Sequence, residues 1–386
     1  MPIVGFSYGD GFHALYYNFP DYPRHFLPEE SATGYTSGMS EELALYRKYR
    51  PQSFKEVIGQ THIVSALQGS LKEGNVAHAY LFFGSRGTGK TSVARIFARE
   101  LGANDSDIHE IDAATYTSVD NIRELREEVQ VLPFQSKRKV YIFDEVHMLS
   151  KSAFNAFLKT LEEPPSHVVF ILATTELEKV PDTIQSRCQV FTFKKPTTKA
   201  IAEMIVRIAK AEGFSLEKAS AELVALLADG SFRDAQGILQ KIFSSSSDKK
   251  VSLDEVVGIT GAPKNELVNR VITGLSTGDA NDALSAVGEA VDANTDMEIF
   301  LKILLQRVRI LLLLRYAPDF GKTLAEDLTD TDHDFLGSLA KDVSSRLNSE
   351  TLRKLIIAAI ETSRSPIPQV PLELAIMELT ASVPSS

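Results

Sequence analysis

A glycine-rich turn between an apolar run and a helical pattern is the feature that most constrains how this chain can fold. Residues 79–83 are Ala-Tyr-Leu-Phe-Phe, residues 84–91 are Gly-Ser-Arg-Gly-Thr-Gly-Lys-Thr, and a helical pattern covers 92–101. The turn fits G-x-x-x-x-G-K-[ST], in which glycines let backbone N–H groups face a phosphate at a helix N-terminus. We therefore predict a strand, a P-loop and a helix that bind a nucleoside triphosphate. The predicted phosphate-binding residues are Gly84, Ser85, Arg86, Gly87, Thr88, Gly89, Lys90, Thr91 and Ser92.

A second motif places acidic residues at the end of another apolar run. Residues 139–143 form a candidate buried strand, and Asp144 and Glu145 follow it directly. The C-terminal ends of parallel strands meet at one edge of a sheet, which puts both acids beside the P-loop. Asp144 and Thr91 are predicted to hold Mg²⁺, while Lys90 reaches the β- and γ-phosphates. Glu145 is predicted to orient and deprotonate the attacking water.

The overall composition argues against several classes of protein. A net charge of −10 over 386 residues disfavours a broad surface that coats DNA. A single cysteine, Cys188, rules out a disulfide framework or a thiolate zinc cluster within the chain and fits a reducing cytoplasm. Basic residues interrupt the apolar stretch 301–316, so we expect a buried helix there and no membrane span. Cys188 and His147 are typical of packing residues, and neither receives a chemical role.

Four segments differ in character along the chain. Residues 1–38 form a leader that is either disordered or upstream of a true start at Met39. Residues 39–195 alternate between helix and strand patterns, which predicts an α/β core with a parallel sheet and flanking helices. Residues 196–261 are predicted to form a small helical lid domain, and residues 262–386 an all-α domain. The candidate strands are 80–83, 108–111, 139–143, 168–173 and 189–193, and the candidate lid helices are 201–211, 216–227, 232–243 and 253–257.

The order of these motifs resembles that of the AAA+ superfamily, and more narrowly that of the DNA polymerase III gamma/tau family of bacterial clamp-loader ATPases. The similarity extends from Met39 to Val383. Besides the P-loop, it is carried by LYRKYRPQSF at 45–54, VIGQ at 57–60, DEVHMLS at 144–150, FNAFLKTLEEPP at 154–165, ATTE at 173–176 and SRC at 186–188.

The resemblance implies further residues around the nucleotide. Tyr49, Val57 and Ile58 belong to the family's opening segment, which packs near the adenine. Thr174 corresponds to sensor 1, whose hydroxyl contacts a water or a γ-phosphate oxygen, and Thr175 is the alternative.

Two arginines are implied in the same way. Arg187 of SRC matches a finger that acts in trans on the γ-phosphate of the neighbouring subunit and supports catalysis there. Arg233, within GSFRDA at 230–235, matches sensor 2, which touches the γ-phosphate and couples nucleotide exchange to a tilt of the lid.

For the whole chain, the resemblance implies the ATP-hydrolysing subunit of the replication clamp loader, which opens the sliding clamp and loads it onto primed DNA within the DNA polymerase III holoenzyme. The expected partners are delta- and delta-prime-type subunits, copies of the chain, the sliding clamp and primed DNA, with single-strand binding protein as a further candidate. Residues 262–386 would form the collar through which subunits assemble.

Two departures from the family pattern change these expectations. Family members usually carry a four-cysteine zinc module between the P-loop helix and the next strand, but residues 99–112 contain no cysteine. We therefore expect ATP and Mg²⁺ as cofactors and no structural zinc. The chain also ends soon after the helix at 371–379 that closes the family's collar, as a short gamma-like form or a fragment would.

Two alternatives stay open. One is another AAA+ DNA motor, such as a Holliday-junction branch-migration ATPase, although such motors typically end in a winged-helix domain and this chain has a long helical tail. The other is a non-catalytic structural clamp-loader subunit, which would be expected to lack Lys90, Thr91 or Glu145. The small subunits of eukaryotic replication factor C are a close relative, and they differ in the opening and closing segments.

Overall fold

The computed structural model describes residues 43–116, 119–246, 248–325 and 330–381. The predicted leader 1–38 and its alternative start at Met39 lie outside the described residues.

A parallel sheet of five strands forms the first part of the described chain. The strand order is β2-β3-β4-β1-β5, so the P-loop strand β1 lies between β4 and β5. All five predicted strands are confirmed, with ends within one residue of the prediction. The strands are β1 (Ala79–Phe83), β2 (Ile108–Asp112), β3 (Lys139–Asp144), β4 (Val168–Thr174) and β5 (Gln189–Thr192).

Helices cover both faces of this sheet, which explains why the central strands are continuous apolar runs. Every residue of β4 is buried. Its alternate side chains enter two separate cores: Phe170 packs with α4 and α5, and Ile171 packs with α2 and α3. Burial of one such side chain contributes about 1.5–3 kcal/mol to folding. The helices are α1 (Leu45–Lys48), α2 (Thr61–Glu73), α3 (Lys90–Glu100), α4 (Val119–Val129), α5 (Lys151–Glu162) and α6 (Asp182–Gln185), with short 3₁₀ turns at Phe54–Glu56, Asp105–Asp107, Val146–Met148 and Leu177–Lys179.

A helical lid follows the sheet and has its own apolar core. Leu45 of α1 is buried in this core, so the short helix α1 packs on the lid although it precedes the sheet in sequence. The helix predicted to begin at Leu216 begins at Lys218, because Ser215 and Leu216 pair in parallel with Lys250 and Val251. The lid elements are α7 (Thr198–Ala211), β6 (Ser215–Leu216), α8 (Lys218–Leu227), α9 (Phe232–Ser245), β7 (Lys250–Val251) and α10 (Leu253–Thr260).

The described part of the C-terminal segment consists of helices joined by loops. These helices pack around the longest of them, α13. The buried residues of α13 lie on several sides of the helix, as the apolar stretch 301–316 predicts. Arg307 is buried among them because Asp332, Asn265 and Asn269 accept its hydrogen bonds. In the part of the chain that the structure describes, no helix is long and apolar enough to cross a membrane. The helices are α11 (Asn265–Thr277), α12 (Ala280–Asp292), α13 (Met297–Tyr316), α14 (Pro318–Ala325), α15 (Asp330–Lys341), α16 (Ser349–Thr362) and α17 (Val370–Thr380).

Candidate nucleotide-binding site

The P-loop connects β1 to α3 through two glycines in the left-handed region. Gly87 has φ +74° and Gly89 has φ +96°, conformations that an L-residue adopts only with strain. Helix α3 begins at Lys90, directly after this turn. The free N–H groups of the first helical turn and the positive end of the helix dipole therefore face the loop, which is the arrangement that binds a phosphate.

Lys90 lies inside the loop and is only 6% exposed. Its Nζ donates hydrogen bonds to the carbonyl oxygens of Gly84 (2.8 Å) and Ser85 (3.1 Å). Burial lowers the pKa of the Lys90 ammonium, and the nearby carboxylates of Glu145 and Asp144 oppose this effect. A buried ammonium that donates to two neutral carbonyl oxygens can exchange them for anionic oxygens, which accept stronger hydrogen bonds, so the side chain is suited to bind a phosphate.

Thr91 and Asp144 are brought together at the C-terminal edge of the sheet. The Thr91 hydroxyl donates to Asp144 Oδ2 at 3.1 Å, and Asp144 Oδ1 accepts from the backbone N–H of Glu145 at 3.1 Å. A hydroxyl and a carboxylate in contact supply the oxygen ligands that Mg²⁺ prefers. The residues present therefore fit the predicted metal.

Glu145 has an unusual backbone for its residue type. Its φ of +48° lies in the left-handed region, which costs a non-glycine residue about 1–3 kcal/mol. The side chain is 34% exposed, and its Oε2 accepts hydrogen bonds from Thr175 N (3.2 Å) and Thr175 Oγ1 (3.0 Å). The left-handed backbone at Glu145 thus directs its carboxylate out of the strand end, beside Asp144 and the P-loop.

Thr174 ends β4, next to β1 in the sheet, and it is fully buried. Its hydroxyl oxygen accepts from Glu176 N at 3.0 Å and lies 3.0 Å from Nδ1 of His147. The two threonines left open by the sequence therefore differ: Thr175 contacts the carboxylate of Glu145, and Thr174 contacts the imidazole of His147. The sensor role of Thr174 stays a prediction.

The lid contacts the P-loop directly through the start of α9. The N–H of Phe232 donates to the carbonyl oxygen of Gly87 at 3.0 Å. The approach is so close that a Cβ on Gly87 would lie 1.9 Å from Oγ of Ser231, the residue that caps α9. Arg233, one residue further on, lies over the ring of Tyr46 at 4.8 Å from its centroid. The predicted sensor arginine is thus on the helix that meets the loop.

The three predicted adenine residues lie where the core meets the lid. The Tyr49 hydroxyl donates to the carboxylate of Glu212, and burial, then this carboxylate, raises the pKa of Tyr49 to about 12. Val57 packs against the core that contains α2 and α3, whereas Ile58 packs against the lid core. Their contact with a base stays a prediction.

One residue at this junction was missed by the sequence analysis. Gln60 is fully buried and binds both backbone groups of Lys194: its Oε1 accepts from Lys194 N (3.1 Å) and its Nε2 donates to Lys194 O (2.7 Å). A glutamine fixed by two hydrogen bonds to one residue joins the segment before α2 to the segment before α7. The family resemblance includes this glutamine in VIGQ at 57–60, but the residue pattern does not indicate that it joins two distant segments.

Two family models and several relatives match this chain. A family model described as "DNA polymerase III, delta subunit" matches residues 59–110 and 102–197, and one described as "DNA polymerase III subunits gamma and tau domain III" matches residues 251–385. The chain is 36% identical over 296 residues to DNA polymerase III subunit gamma of Buchnera aphidicola, covering 71% of this chain and 80% of that protein. It is 41% identical over 308 residues to DNA polymerase III subunit tau of Bacillus subtilis, covering 74% of this chain and 54% of that protein.

The chain belongs to the DNA polymerase III gamma/tau family. It spans about half the length of the first curated relatives that it matches, including 57% of the gamma/tau subunit of Mycobacterium tuberculosis. Among solved structures, RuvB of Thermotoga maritima, a Holliday junction branch migration motor, is 21% identical with a TM-score of 0.48, over 72% of this chain and 85% of that chain. This value supports no inference about the chain.

The SRC segment of this gamma/tau chain follows α6. Arg187 is 34% exposed at its side chain, and it donates to Glu162 Oε1 at 2.6 Å and to the carbonyl oxygen of Thr183 at 2.7 Å. Cys188 packs against the sheet core, and burial raises the pKa of its thiol to about 12. The thiol is therefore protonated at neutral pH, as expected for a packing residue.

The segment where relatives were expected to carry zinc is short in this family member. A single 3₁₀ turn, Asp105–Asp107, connects α3 to β2. Asp107 is buried, and its carboxylate accepts from the N–H groups of Phe134 (2.7 Å) and Gln135 (3.1 Å). Among the residues described by the structure, no group of three or more His, Cys, Asp or Glu side chains could hold a metal ion.

Proposed function

We propose that this gamma/tau family chain is an ATP-hydrolysing motor subunit of a replication clamp loader. The observation that carries the proposal is the meeting of Lys90, the Thr91–Asp144 pair and Glu145 at one edge of the sheet. A structural subunit has no need of a complete phosphate, metal and base arrangement. The family provides the context, because its members are named as subunits of DNA polymerase III.

The P-loop residues bind and orient the triphosphate. The backbone N–H groups of residues 84–91 surround the β-phosphate, and Lys90 gives up its carbonyl partners for β- and γ-phosphate oxygens. Thr91 and Asp144 would hold Mg²⁺ through their oxygens. When bound, Mg²⁺ neutralises the negative charge that develops on the phosphates.

Glu145 acts as the general base in this proposal. Its carboxylate orients the attacking water and accepts a proton from it, since phosphoryl transfer requires positioning more than covalent chemistry. Thr175 holds the carboxylate through two hydrogen bonds. Thr174 contacts a γ-phosphate oxygen or the water, and so its hydroxyl responds to the state of the nucleotide.

Arg187 serves the active site of the neighbouring subunit. Its guanidinium is partly exposed and paired only with Glu162 and a backbone carbonyl, so it can exchange these partners for a phosphate when two subunits meet. Such a finger contributes about 10³–10⁵ to the rate by stabilising charge in the transition state. Hydrolysis then requires assembly.

The lid and the C-terminal helices couple the nucleotide to the assembly. Exchange of ATP for ADP changes the contacts of Arg233 and of the loop carbonyl of Gly87, so the lid tilts against the core. The C-terminal helices form the collar, and they expose apolar side chains that suit a subunit interface. The exposed residues are Ile356, Ile357, Ile360, Leu374 and Met377.

The proposed partners follow from this arrangement and from the family. They are delta- and delta-prime-type subunits, further copies of the chain, the sliding clamp and primed DNA, with single-strand binding protein as an additional one. The complex with ATP grips and opens the clamp, and primed DNA triggers hydrolysis and release of the closed clamp. We place this assembly in the cytoplasm.

Steady-state ATP hydrolysis by the chain with delta-type partners tests the proposal. We expect strong stimulation only when the sliding clamp and primed DNA are both present, and loss of turnover in Lys90→Ala. Hydrolysis that ignores the clamp and rises with branched DNA would instead assign the chain to the branch-migration motors. If the assembled complex shows no nucleotide-dependent activity, the chain is a structural subunit.

A further inference from the structure

The imidazole of His147 is enclosed between the two strand ends that carry Glu145 and Thr174. Its side chain is only 7% exposed. Nδ1 lies 3.0 Å from Thr174 Oγ1 and 3.4 Å from Glu145 Oε2. Nε2 lies 3.2 Å from Glu176 Oε1. One ring thus contacts the general base of the proposed reaction, the residue matched to sensor 1, and a carboxylate behind them.

The hydrogen-bond requirements of these groups fix how the ring is used. The pKa of Glu176 is lowered, chiefly by its hydrogen bond with Lys179, so its carboxylate is ionised and can only accept; Nε2 of His147 must donate to it. Nδ1 lies 3.0 Å from Oγ1 of Thr174, whose hydroxyl is also placed within hydrogen-bond distance of the Glu176 carbonyl oxygen (3.2 Å) and N–H (3.0 Å). The imidazole and the backbone of Glu176 therefore position the Thr174 hydroxyl together.

Two residues contact the carboxylate of Glu145 at the same oxygen. Thr175 donates two hydrogen bonds to Oε2, and the ring of His147 lies against the same oxygen. The left-handed backbone of Glu145 directs the side chain out of the strand end, and these contacts then position its carboxylate. A buried ring between Glu145 and Thr174 restricts the carboxylate to one orientation relative to the sensor hydroxyl.

We propose that His147 is a positioning residue for hydrolysis, which ties the carboxylate of Glu145 to the hydroxyl of Thr174. The inference rests on the proposed function and adds a residue that touches neither the nucleotide nor the metal. When Thr174 contacts a phosphate oxygen, its hydroxyl turns relative to Nδ1, and the ring carries this change to Glu145. The proton-accepting carboxylate is then aligned only when the γ-phosphate is present.

Three substitutions of His147 distinguish the contributions of its two ring nitrogens to turnover. Asn retains a polar group near the position of Nδ1, Gln retains one near the position of Nε2, and Ala retains neither. The variants are His147→Asn, His147→Gln and His147→Ala in the full chain, assembled with its delta-type partners, the clamp and primed DNA. His109→Asn is the matched control, because this imidazole stacks on Tyr141 in the same sheet, outside the site.

Positioning predicts a split between turnover and binding. We expect His147→Ala and His147→Gln to lower kcat by about 10- to 100-fold, because a small displacement of a catalytic group is costly. His147→Asn should stay within about threefold of the wild type, and the affinity for a non-hydrolysable ATP analogue should change less than about twofold in every variant. His109→Asn should change neither quantity.

A double substitution tests whether the effect passes through Glu145. Glu145→Gln removes the base, so adding His147→Ala should not lower the residual rate further. A second loss of about tenfold would show that His147 acts independently of Glu145 and would overturn the inference.

Other outcomes also decide the matter. Full turnover in His147→Ala refutes the inference, and so does better rescue by Gln than by Asn, which would point to filling of space. An equal loss of kcat and nucleotide affinity refutes it as well. If His147→Ala does not fold, the comparison of Asn with Gln still decides. A wild-type complex that does not hydrolyse ATP would reject the proposed function itself, whereas an active wild type with an active Ala variant rejects only the role of His147.

Discussion

The contact between the lid and the P-loop predicts a specific effect of adding one methyl group. In Gly87→Ala, the new Cβ would lie 1.9 Å from Ser231 Oγ, where ordinary contacts begin at 3.4 Å. If Ser231 Oγ rotates away, it gives up its hydrogen bond from Asp234 N, and the new Cβ still lies 2.8 Å from Ser231 Cβ, so the start of α9 must retreat by about 0.6 Å. This retreat weakens the 3.0 Å hydrogen bond from Phe232 N to the carbonyl oxygen of Gly87. Loss of the cap and weakening of this bond make local opening easier by about 1–2 kcal/mol, which corresponds to about 5- to 30-fold faster amide exchange at Phe232.

Ser231→Gly supplies the rescue. It removes the two side-chain atoms that lie nearest to the new methyl group and leaves the Cα of residue 231 at 3.2 Å, a contact that a shift of a few tenths of an ångström relieves. Glycine is also a tolerated helix cap, so the single substitution costs only a few tenths of a kcal/mol. In this background, Gly87→Ala should change the exchange of the Phe232 amide less than about threefold.

The wild type, Gly87→Ala, Ser231→Gly and the double variant form a double-mutant cycle. Hydrogen–deuterium exchange of these four proteins without nucleotide checks the prediction. The left-handed φ of Gly87 costs an alanine about 1–2 kcal/mol in both backgrounds, so the cycle cancels this strain. Equal acceleration with and without Ser231→Gly would show that backbone strain, not the contact, controls the lid. No acceleration in either background would show that the lid does not rest on the P-loop in solution.

Three further outcomes are expected. Arg187→Ala should reduce hydrolysis by the assembled complex about 10³-fold or more without loss of ATP binding. Arg187→Lys is the control that keeps the positive charge but not the forked guanidinium, and normal turnover in Arg187→Ala would refute the trans role. Arg307→Met breaks the buried 2.9 Å ion pair with Asp332, so exchange in α13 should report about 3–5 kcal/mol of lost local stability, and Asp332→Leu in the same chain should reduce that loss. With its pKa at about 12, Cys188 should react with iodoacetamide at pH 8 at least about 100-fold more slowly than in urea, and an equally fast native reaction would contradict its burial.

The sheet was predictable from the sequence because its strands are buried on both faces. Continuous apolar runs with helical patterns between them are typical of parallel strands with crossover helices. Both ends of each of the five strands fall within one residue of the prediction. The P-loop, Asp144 and Glu145 were predictable for a related reason: a parallel sheet brings the C-terminal ends of β1 and β3 to the same edge.

The remaining features depend on contacts between distant segments, which residue patterns do not reveal. His147 looked like a packing residue, and it is buried, but its partners come from the end of β4. The pairing of β6 with β7 involves only two residues from each strand, too few for an alternating pattern. Leu45 was expected with the core segment because it precedes the sheet, yet its apolar partners belong to the lid.

The packing of α1 has a mechanical consequence. The lid holds α1 through Leu45 N to Gln240 Oε1 at 3.1 Å and Lys48 to Glu212 at 2.7 Å. Within the described residues that lead from α1 to α7, the backbone therefore passes between lid and core twice, once after α1 and once before α7. Gln60 joins the two passages at Lys194. Two adjacent connections between lid and core restrict the lid to rotation about one axis, whereas a single connection would allow rotation about several axes. We therefore expect nucleotide exchange to rotate the lid about one axis.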